Sequence, residues 1–284
     1  MTAHDPRLLQ ALLRQDLYRF VMKAFATVSP GEPFLPNWHL MAICYHLELV
    51  RQGKIKRLRI EVPPRSLKSV CASVAFPAFF LGHDPTAKII TASYSADLAA
   101  KHAGDCRAVM QAQWYRELFP HTRISPAKNQ EANYETTARG YRYATSVGGT
   151  LTGRGGNLII IDDPLKPEDA MSQTKREAVN AWYSRTLLSR LNNKASDAII
   201  LVQQRLHMDD LAGHVEELDD WVKLRLPAIA EEDAQIPIGP GKVYDRKAGD
   251  ILHPARETLA ILEGLKLALG STIFSAQYQL CPVP

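Results

Sequence analysis

Short apolar runs alternate with longer amphipathic segments along most of this chain. Six runs have the length of strands, and they cover residues 57–62, 87–94, 141–147, 157–162, 197–204 and 221–228. Several are apolar on both faces, which is typical of strands in a parallel sheet that has helices on either side. The pattern therefore predicts an α/β fold, with a mainly parallel central sheet between two layers of helices.

Helical spacing of apolar residues predicts the elements around these strands. Residues 6–26 and about 38–51 predict two helices before the first strand, and the proline-rich stretch between them breaks the chain. Residues 172–191 predict the clearest helix between two strands. Beyond residue 251 the apolar pattern thins to one further helix, at about 255–269, and a proline-containing end.

These elements predict a division of the chain into one main domain and a C-terminal segment. The main domain covers residues 1–250, with N-terminal helices in 1–52 and a core in 53–230. Residues 251–284 are expected to form a helix and a linker toward a further domain. A length of 284 residues with 46% hydrophobic content is enough for one full core.

Composition excludes few classes of function. Lys and Arg number 34 against 30 Asp and Glu, and the net charge of +4 permits contact with nucleic acid without demanding it. The four cysteines are scattered, with no CxxC pair, which favours a reduced compartment. No signal peptide pattern is present, and no apolar run reaches the ~20 residues of a membrane-spanning helix, so no membrane association is expected.

The stretch EVPPRSLKS, residues 61–69, has the arrangement of a phosphate-binding loop without its glycines. A strand is followed by a tight turn, Lys68, Ser69 and an apolar helix, which is the order that phosphate binding requires. Val62 and Leu67 occupy the two positions where the usual motif has glycine. By itself the segment is equally compatible with a strand and helix joined by an ordinary loop.

The stretch NLIIIDDP, residues 157–164, supplies a second half for such a site. An apolar strand ends in Asp162 and Asp163, and a P-loop enzyme needs a carboxylate for Mg²⁺ at the end of a neighbouring strand. The alternative is an aspartate pair that caps the following helix. Together, the two halves favour nucleotide binding.

Five segments in this order resemble the ATPase domain of the large terminase subunit, the DNA-packaging motor of tailed bacteriophages and prophages. They are FLPNWH, PPRSLKS, residues 148–170, residues 199–215 and FSAQYQLCPVP. PPRSLKS is similar to the deviant Walker A motif of that family, and residues 148–170 are similar to its Walker B segment. The resemblance implies a P-loop NTPase fold of the ASCE type, with ATP and Mg²⁺ as cofactors.

The resemblance also implies roles for individual residues. The nucleotide-binding loop would consist of Pro64, Arg65, Ser66, Leu67, Lys68 and Ser69. Lys68 would neutralise the β- and γ-phosphates, and Arg65 would contact the γ-phosphate or remain a solvated loop residue. Ser69 and Asp162 would hold Mg²⁺, and Asp163 would orient the attacking water.

Further residues are assigned by the same resemblance, each with a structural alternative. Arg154, in the glycine-flanked TGRGG, would reach the active site of a neighbouring subunit as an arginine finger, or else make a surface contact. Trp38 and His39 would flank the adenine, although a Trp at a helix start is often part of a core. Gln204 and Arg205 would sense the γ-phosphate and couple hydrolysis to movement, the alternative for Arg205 being a purely structural role.

The function implied is a motor that uses Mg-ATP hydrolysis to translocate double-stranded DNA, without sequence preference, into a procapsid. Its partners would be the portal protein and the small terminase subunit. It would act as a homo-oligomeric ring on the portal in the host cytoplasm and be a monomer in isolation. A nuclease domain is expected to follow Pro284, so nuclease activity is not expected in these residues.

Two other functions stay open at this point. Leu67 favours a catalytically weak nucleotide-binding or assembly module that docks on the portal or small terminase, whereas the joint presence of Lys68, Ser69, Asp162 and Asp163 argues against it. A generic P-loop helicase is a third, weaker hypothesis, which nucleotide-dependent strand separation would favour.

Overall fold

The computed structural model describes residues 6–151, 153–218 and 220–282, and in this part of the chain ten strands form two sheets. The strands are β1 (Arg57–Glu61), β2 (Lys88–Ser93), β3 (Ile124–Asn129), β4 (Asn133–Thr136), β5 (Tyr141–Ser146), β6 (Leu158–Asp162), β7 (Ala198–Gln203), β8 (Val222–Arg225), β9 (Ala234–Gly239) and β10 (Lys242–Arg246). β9 and β10 pair as a separate antiparallel hairpin.

The helices follow the same chain order. They are α1 (Pro6–Gln15), α2 (Leu17–Val28), α3 (Trp38–Arg51), α4 (Phe76–His83), α5 (Ala96–Gln111), α6 (Gln113–Leu118), α7 (Gln173–Trp182), α8 (Leu211–Glu216), α9 (Leu259–Leu269) and α10 (Ser271–Gln277). π-helical turns at Val70–Ala75 and Tyr183–Leu187 lead into α4 and continue α7, respectively. No helix among the described residues has the length and apolar character needed to cross a bilayer.

The main sheet has eight strands in the order β3-β4-β5-β2-β6-β7-β1-β8. The strands from β5 to β8 in this order pair in parallel, and β3 and β4 add an antiparallel edge. One strand, β7, lies between β1 and β6, the strand that ends at Asp162. The predicted α/β fold with a mainly parallel sheet is confirmed.

Both faces of the sheet are buried, because alternate residues of each central strand face opposite helical layers. In β6, Leu158 and Ile160 pack into a core shared with α2, α3, α4 and α5, whereas Ile159 and Ile161 pack against α7 and α8. The predicted run of apolar residues in this strand is explained by this two-sided burial.

The N-terminal region differs from the single helix predicted for residues 6–26. Asp16 ends α1 and begins α2, since its side chain accepts a hydrogen bond from the backbone N–H of Arg19 at 3.2 Å. The last predicted helix likewise begins later, at Leu259, where Thr258 provides the same kind of cap. Polar capping residues inside an apolar periodicity are easily overlooked, because the periodicity continues across them.

Two hairpins were absent from the sequence prediction, and both are half exposed. Strands β3 and β4 extend one edge of the main sheet, and the β9–β10 hairpin packs on α3. The indole of Trp38 stacks on the ring of Tyr244, with ring centroids 4.3 Å apart. The segment after the hairpin also contacts the N-terminal region, where the side chain of Asn37 donates to the carbonyl of Leu252 at 2.7 Å. The domain boundary at residue 250 stays a prediction.

Candidate nucleotide-binding site

The candidate site lies at the edge of the sheet where the parallel strands end. β1 ends at Glu61 just before the loop of residues 62–67, and β6 ends at Asp162. The register pairs Glu61 with Gln203 and Asp162 with Val202, so the three strand ends are level. Ligands of open α/β sheets bind at this carboxyl edge, and the sequence motifs therefore meet here.

The loop keeps a left-handed backbone at the position that usually requires glycine. Leu67 has φ 56° and Arg65 has φ 62°, both in the left-handed region. A residue with a Cβ pays roughly 1–2 kcal/mol for that conformation. Leu67 is half-buried and packs against the main core, which helps to hold the loop. The backbone conformation that glycine normally provides is therefore present without glycine.

Lys68 and Asp163 form an ion pair at the centre of the site. The ammonium nitrogen of Lys68 lies 2.8 Å from Oδ2 of Asp163, and the lysine side chain is only 9% exposed. Burial would lower the pKa of Lys68, but the carboxylates of Asp163 and Asp162 outweigh burial and raise this pKa. Burial raises the pKa of Asp163, and Lys68 opposes that shift. Lys68 is thus cationic and poised beside a carboxylate.

Asp163 is also fixed through its backbone. Its own N–H donates to the carbonyl of Val202 at 2.9 Å, and its Oδ1 accepts the backbone N–H of Gln204 at 3.3 Å. Its φ of 44° turns the chain sharply at the end of β6. Asp162 and Asp163 consequently have different hydrogen-bonding partners, although both lie near Lys68.

Asp162 is buried among hydroxyl groups of the helix that follows the loop. It is 1% exposed, and its Oδ1 accepts a hydrogen bond from Ser69 at 3.1 Å. Its Oδ2 accepts one from Ser73 at 2.6 Å and lies 3.6 Å from Nδ1 of His102. The sequence prediction missed Ser73 and His102. The spacing of four residues from Ser69 was the available signal for Ser73, and His102 gave no local signal.

The donors around Asp162 fit a magnesium ion. Mg²⁺ prefers oxygen ligands and usually keeps several waters and substrate phosphates, so it needs only one or two protein groups. Ser69 and Asp162 provide a hydroxyl and a carboxylate in contact. Over the described residues there is no group of three or more His, Cys, Asp and Glu side chains arranged for a metal. The Ser69 hydroxyl and the Asp162 carboxylate therefore fit a magnesium ion whose other ligands are waters and phosphate oxygens.

A cavity of about 500 Å³ opens beside the loop. It is lined by Arg65, Ser66, Leu67, His39, His253 and Arg256, among others. His39 is buried, and its Nε2 lies 3.3 Å from the carbonyl oxygen of Ser66. Burial, helped by His253, lowers the pKa of His39 to about 3, so the ring is neutral.

The two residues predicted to flank the adenine have rings in edge contact, 6.4 Å apart at their centroids, but face different surroundings. His39 lines the cavity, whereas Trp38 lies under the β9–β10 hairpin, stacked on Tyr244 and close to Arg246. Trp38 therefore packs on the hairpin, and its contact with adenine stays a prediction.

The predicted coupling residues follow β7 directly. The backbone N–H of Gln204 donates a hydrogen bond to Oδ1 of Asp163 at 3.3 Å. The guanidinium of Arg205 is buried, donates from Nε to both carboxylate oxygens of Asp210 at 3.0 Å, and lies 3.9 Å from Glu61. Arg205 is consequently paired with two acidic residues of its own chain, Asp210 and Glu61. Glu61 is the last residue of β1, just before the phosphate loop.

Arg154 does not approach the loop of its own chain. Its guanidinium carbon lies 4.1 Å from the ring centroid of Tyr143 and 5.9 Å from that of Tyr141. Tyr141 begins β5, so this contact extends toward the amino end of the strands, opposite to the edge that carries Lys68. The stacking is a cation–π contact on the sheet face away from Asp162.

The topology and the strand-edge site together define a P-loop-type α/β fold. No known family profile matches the chain, and no curated protein matches it. Among solved structures, the ATPase domain of the Thermus phage P74-26 large terminase, as mutant R139A, superposes with a TM-score of 0.54 at 15% identity. The match covers 91% of this chain and 98% of that one. The chain therefore has the fold of a large terminase ATPase domain.

The large terminase of bacteriophage HK97 matches with a TM-score of 0.47 at 13% identity. That match covers 76% of this chain and 44% of the HK97 protein, so the chain spans less than half of the terminase length.

Proposed function

We propose that this chain is the ATPase motor domain of a viral large terminase, which hydrolyses Mg-ATP to translocate double-stranded DNA into a procapsid. The observation that carries the proposal is the convergence of Lys68, Ser69, Asp162 and Asp163 within hydrogen-bonding distance at one edge of the sheet. Four polar groups from motifs far apart in the sequence meet there, next to a loop with a left-handed turn.

In this mechanism the loop and Lys68 bind the phosphates of ATP. Phosphate oxygens attract the ammonium of Lys68 away from Asp163, because they carry more negative charge than one carboxylate. Asp163, released from the ion pair, then accepts a hydrogen bond from the attacking water and orients it. Ser69 and Asp162 would hold Mg²⁺, which supplies charge neutralisation at the β- and γ-phosphates.

The wider assembly follows from the same proposal. Contacts to the DNA backbone need no base readout, so translocation is independent of sequence. The partners would be the portal protein and the small terminase, with several copies forming a ring on the portal in the host cytoplasm. Arg154 would complete the active site of the next subunit, which agrees with its distance from its own loop edge.

A second function is a nucleotide-binding or assembly module with little turnover. The specific observation in its favour is the strain of the left-handed Leu67, since the roughly 1–2 kcal/mol it costs opposes a well-formed loop. Under this alternative the Lys68–Asp163 ion pair would persist with nucleotide bound.

The proposal is tested by ATP turnover per subunit over a range of protein concentrations, with and without linear double-stranded DNA. Turnover that rises with protein concentration and with DNA, and that is lost in Asp163→Asn, is the expected result. Strand separation of the DNA would favour a helicase instead. Turnover no greater than that of Asp163→Asn at every concentration would leave the binding module as the better account.

A further inference from the structure

The two carboxylate oxygens of Asp162 are held by two serines of one helical segment. Ser69 donates to Oδ1 at 3.1 Å, and Ser73 donates to Oδ2 at 2.6 Å. Residues four apart in a helical segment share a face, so both hydroxyls approach the same carboxylate. The Ser73 bond is short and charge-assisted, the stronger class of hydrogen bond, and both Ser73 and Asp162 are 1% exposed.

The backbone of Ser73 is fixed independently of its side chain. Pro77 lies four residues later and has no N–H, so the carbonyl of Ser73 lacks its α-helical donor. Nη2 of Arg142, a fully buried residue of β5, donates to this carbonyl at 3.0 Å. A strand of the main sheet thus holds the helical turn that carries Ser73.

No other side chain of the described residues makes a hydrogen bond to Oδ2 of Asp162. The nearest ring nitrogen, Nδ1 of His102, lies 3.6 Å away and has no hydrogen-bond partner there. Removing the Ser73 hydroxyl would therefore leave a buried carboxylate oxygen without a donor, which allows the carboxylate to rotate toward the remaining hydroxyl, that of Ser69.

We propose that Ser73 is a positioning residue that orients Asp162 for Mg²⁺, and this inference rests on the proposed function. With Oδ2 tied to Ser73, Oδ1 is directed to the side of Ser69, where the metal and phosphates would bind. Ser73 itself stays buried behind the carboxylate and does not touch the nucleotide. Its loss should weaken the metal site while leaving the phosphate loop and Lys68 intact.

The test measures the binding of a fluorescent ATP analogue in EDTA and then during titration with Mg²⁺. For Ser73→Ala we expect the Mg²⁺ concentration at half-maximal response to rise about tenfold, as for other residues that orient a metal ligand. The Kd in EDTA should stay within about twofold of wild type, since Lys68 is unchanged. Thr91→Val is the matched control, because Thr91 has a buried hydroxyl in β2 that finds no hydrogen-bond partner among the described residues.

Two more variants distinguish a role of Ser73 in orienting Asp162 from a role in the stability of the fold alone. Ser73→Thr keeps the hydroxyl and should restore the wild-type Mg²⁺ midpoint. Ser73→Cys keeps the volume with a much weaker donor, so it should raise the midpoint, and it replaces Ser73→Ala in the test if the latter does not fold.

The outcomes distinguish this inference from the proposed function. A wild-type midpoint in Ser73→Ala or Ser73→Cys, together with a lower melting temperature, would mean that Ser73 only stabilises the fold and would overturn the inference alone. If Mg²⁺ did not change nucleotide binding by the wild-type chain, both the inference about Ser73 and the proposed function would be overturned.

Discussion

At the scale of single residues, the phosphate loop depends on a leucine in a backbone conformation that favours glycine. Leu67 has φ 56°, and its half-buried side chain packs on the main core. The leucine side chain therefore contributes packing, while its Cβ makes the backbone strained. These two effects can be separated by substitution.

We expect Leu67→Gly to be more stable than Leu67→Ala by about 1 kcal/mol. Both changes remove the packing of the leucine, but only glycine relieves the left-handed strain, and this relief exceeds its extra freedom in the unfolded chain. Chemical denaturation of the two variants measures the difference in the free energy of unfolding. An alanine variant as stable as the glycine variant would contradict a left-handed backbone at position 67.

The lowered pKa of His39 predicts how the free energy of unfolding should depend on pH. This pKa in the folded chain is about 3, below the 6.5 of a free histidine, so between these values the unfolded chain binds a proton that the folded chain does not. The free energy of unfolding should therefore fall as the pH drops from about 6.5 to about 3, by up to about 1.4 kcal/mol per pH unit from this residue.

The contribution of His39 is isolated by His39→Gln, which removes the titrating group. Other histidines whose pKa is lowered act in the same direction: His46, His83, His102 and His253. Denaturation of wild type and variant at a series of pH values should give a shallower slope for the variant below pH 6.5. Equal slopes for the two proteins would show that His39 does not stay neutral in the folded chain.

At the scale of elements, the β9–β10 hairpin covers the start of α3. Tyr244 stacks on Trp38, and the guanidinium of Arg246 lies 5.4 Å from the Trp38 ring. The side chain next to Trp38, His39, reaches the cavity beside the phosphate loop. The hairpin therefore packs on the start of α3, which carries the cavity-lining residue His39.

Replacing Tyr244 with alanine should destabilise the fold by about 1–3 kcal/mol, because it removes a stacked aromatic pair and its buried area. Val243→Ala is the control on the same strand, since Val243 is 51% exposed and should be nearly neutral. Thermal unfolding of the two variants measures the effect. A loss for Val243→Ala that matches the loss for Tyr244→Ala would show that the hairpin is not anchored through its tyrosine.

The strands β1 and β6, which carry the two halves of the candidate site, are buried almost throughout, and sequence reasoning located both closely. The strand predicted at 57–62 is observed as Arg57–Glu61, and that at 157–162 as Leu158–Asp162. Only Ile236 and Arg246 are buried in the two strands of the β9–β10 hairpin, so these strands lack the continuous apolar run of a strand buried on both faces. The proximity of Lys68 to Asp162 and Asp163 was predictable, because β1 and β6 both end at the same edge of the parallel sheet. The Ser73 and His102 contacts depend on how the helices pack on the sheet, which no local pattern encodes.

At the scale of the whole molecule, the position of Arg154 separates it from the phosphate loop of its own chain. Its guanidinium stacks on Tyr143, on a strand face and toward the strand end opposite to the phosphate loop. A role in catalysis then requires that a second copy of the chain present this residue to the site.

Mixing two inactive variants tests this role. Arg154→Ala keeps an intact loop but lacks the arginine, and Asp163→Asn keeps the arginine but lacks the carboxylate. If Arg154 acts between subunits, each variant alone should lose turnover, by about 10³–10⁵-fold for the arginine, and a mixture should recover part of it. Mixtures no more active than the separate variants, under conditions where wild-type turnover rises with concentration, would contradict action between subunits.

The central claim is that a phosphate loop without glycine supports ATP hydrolysis through Asp163. It is tested most directly by phosphate release from saturating Mg-ATP, comparing wild type with Asp163→Asn at equal nucleotide occupancy. We predict release by wild type and a loss of about 10²–10⁴-fold in the variant, the range for removing a positioned acid–base group. Equal release by the two proteins, or none from wild type with nucleotide bound at concentrations that permit assembly on DNA, would contradict the claim.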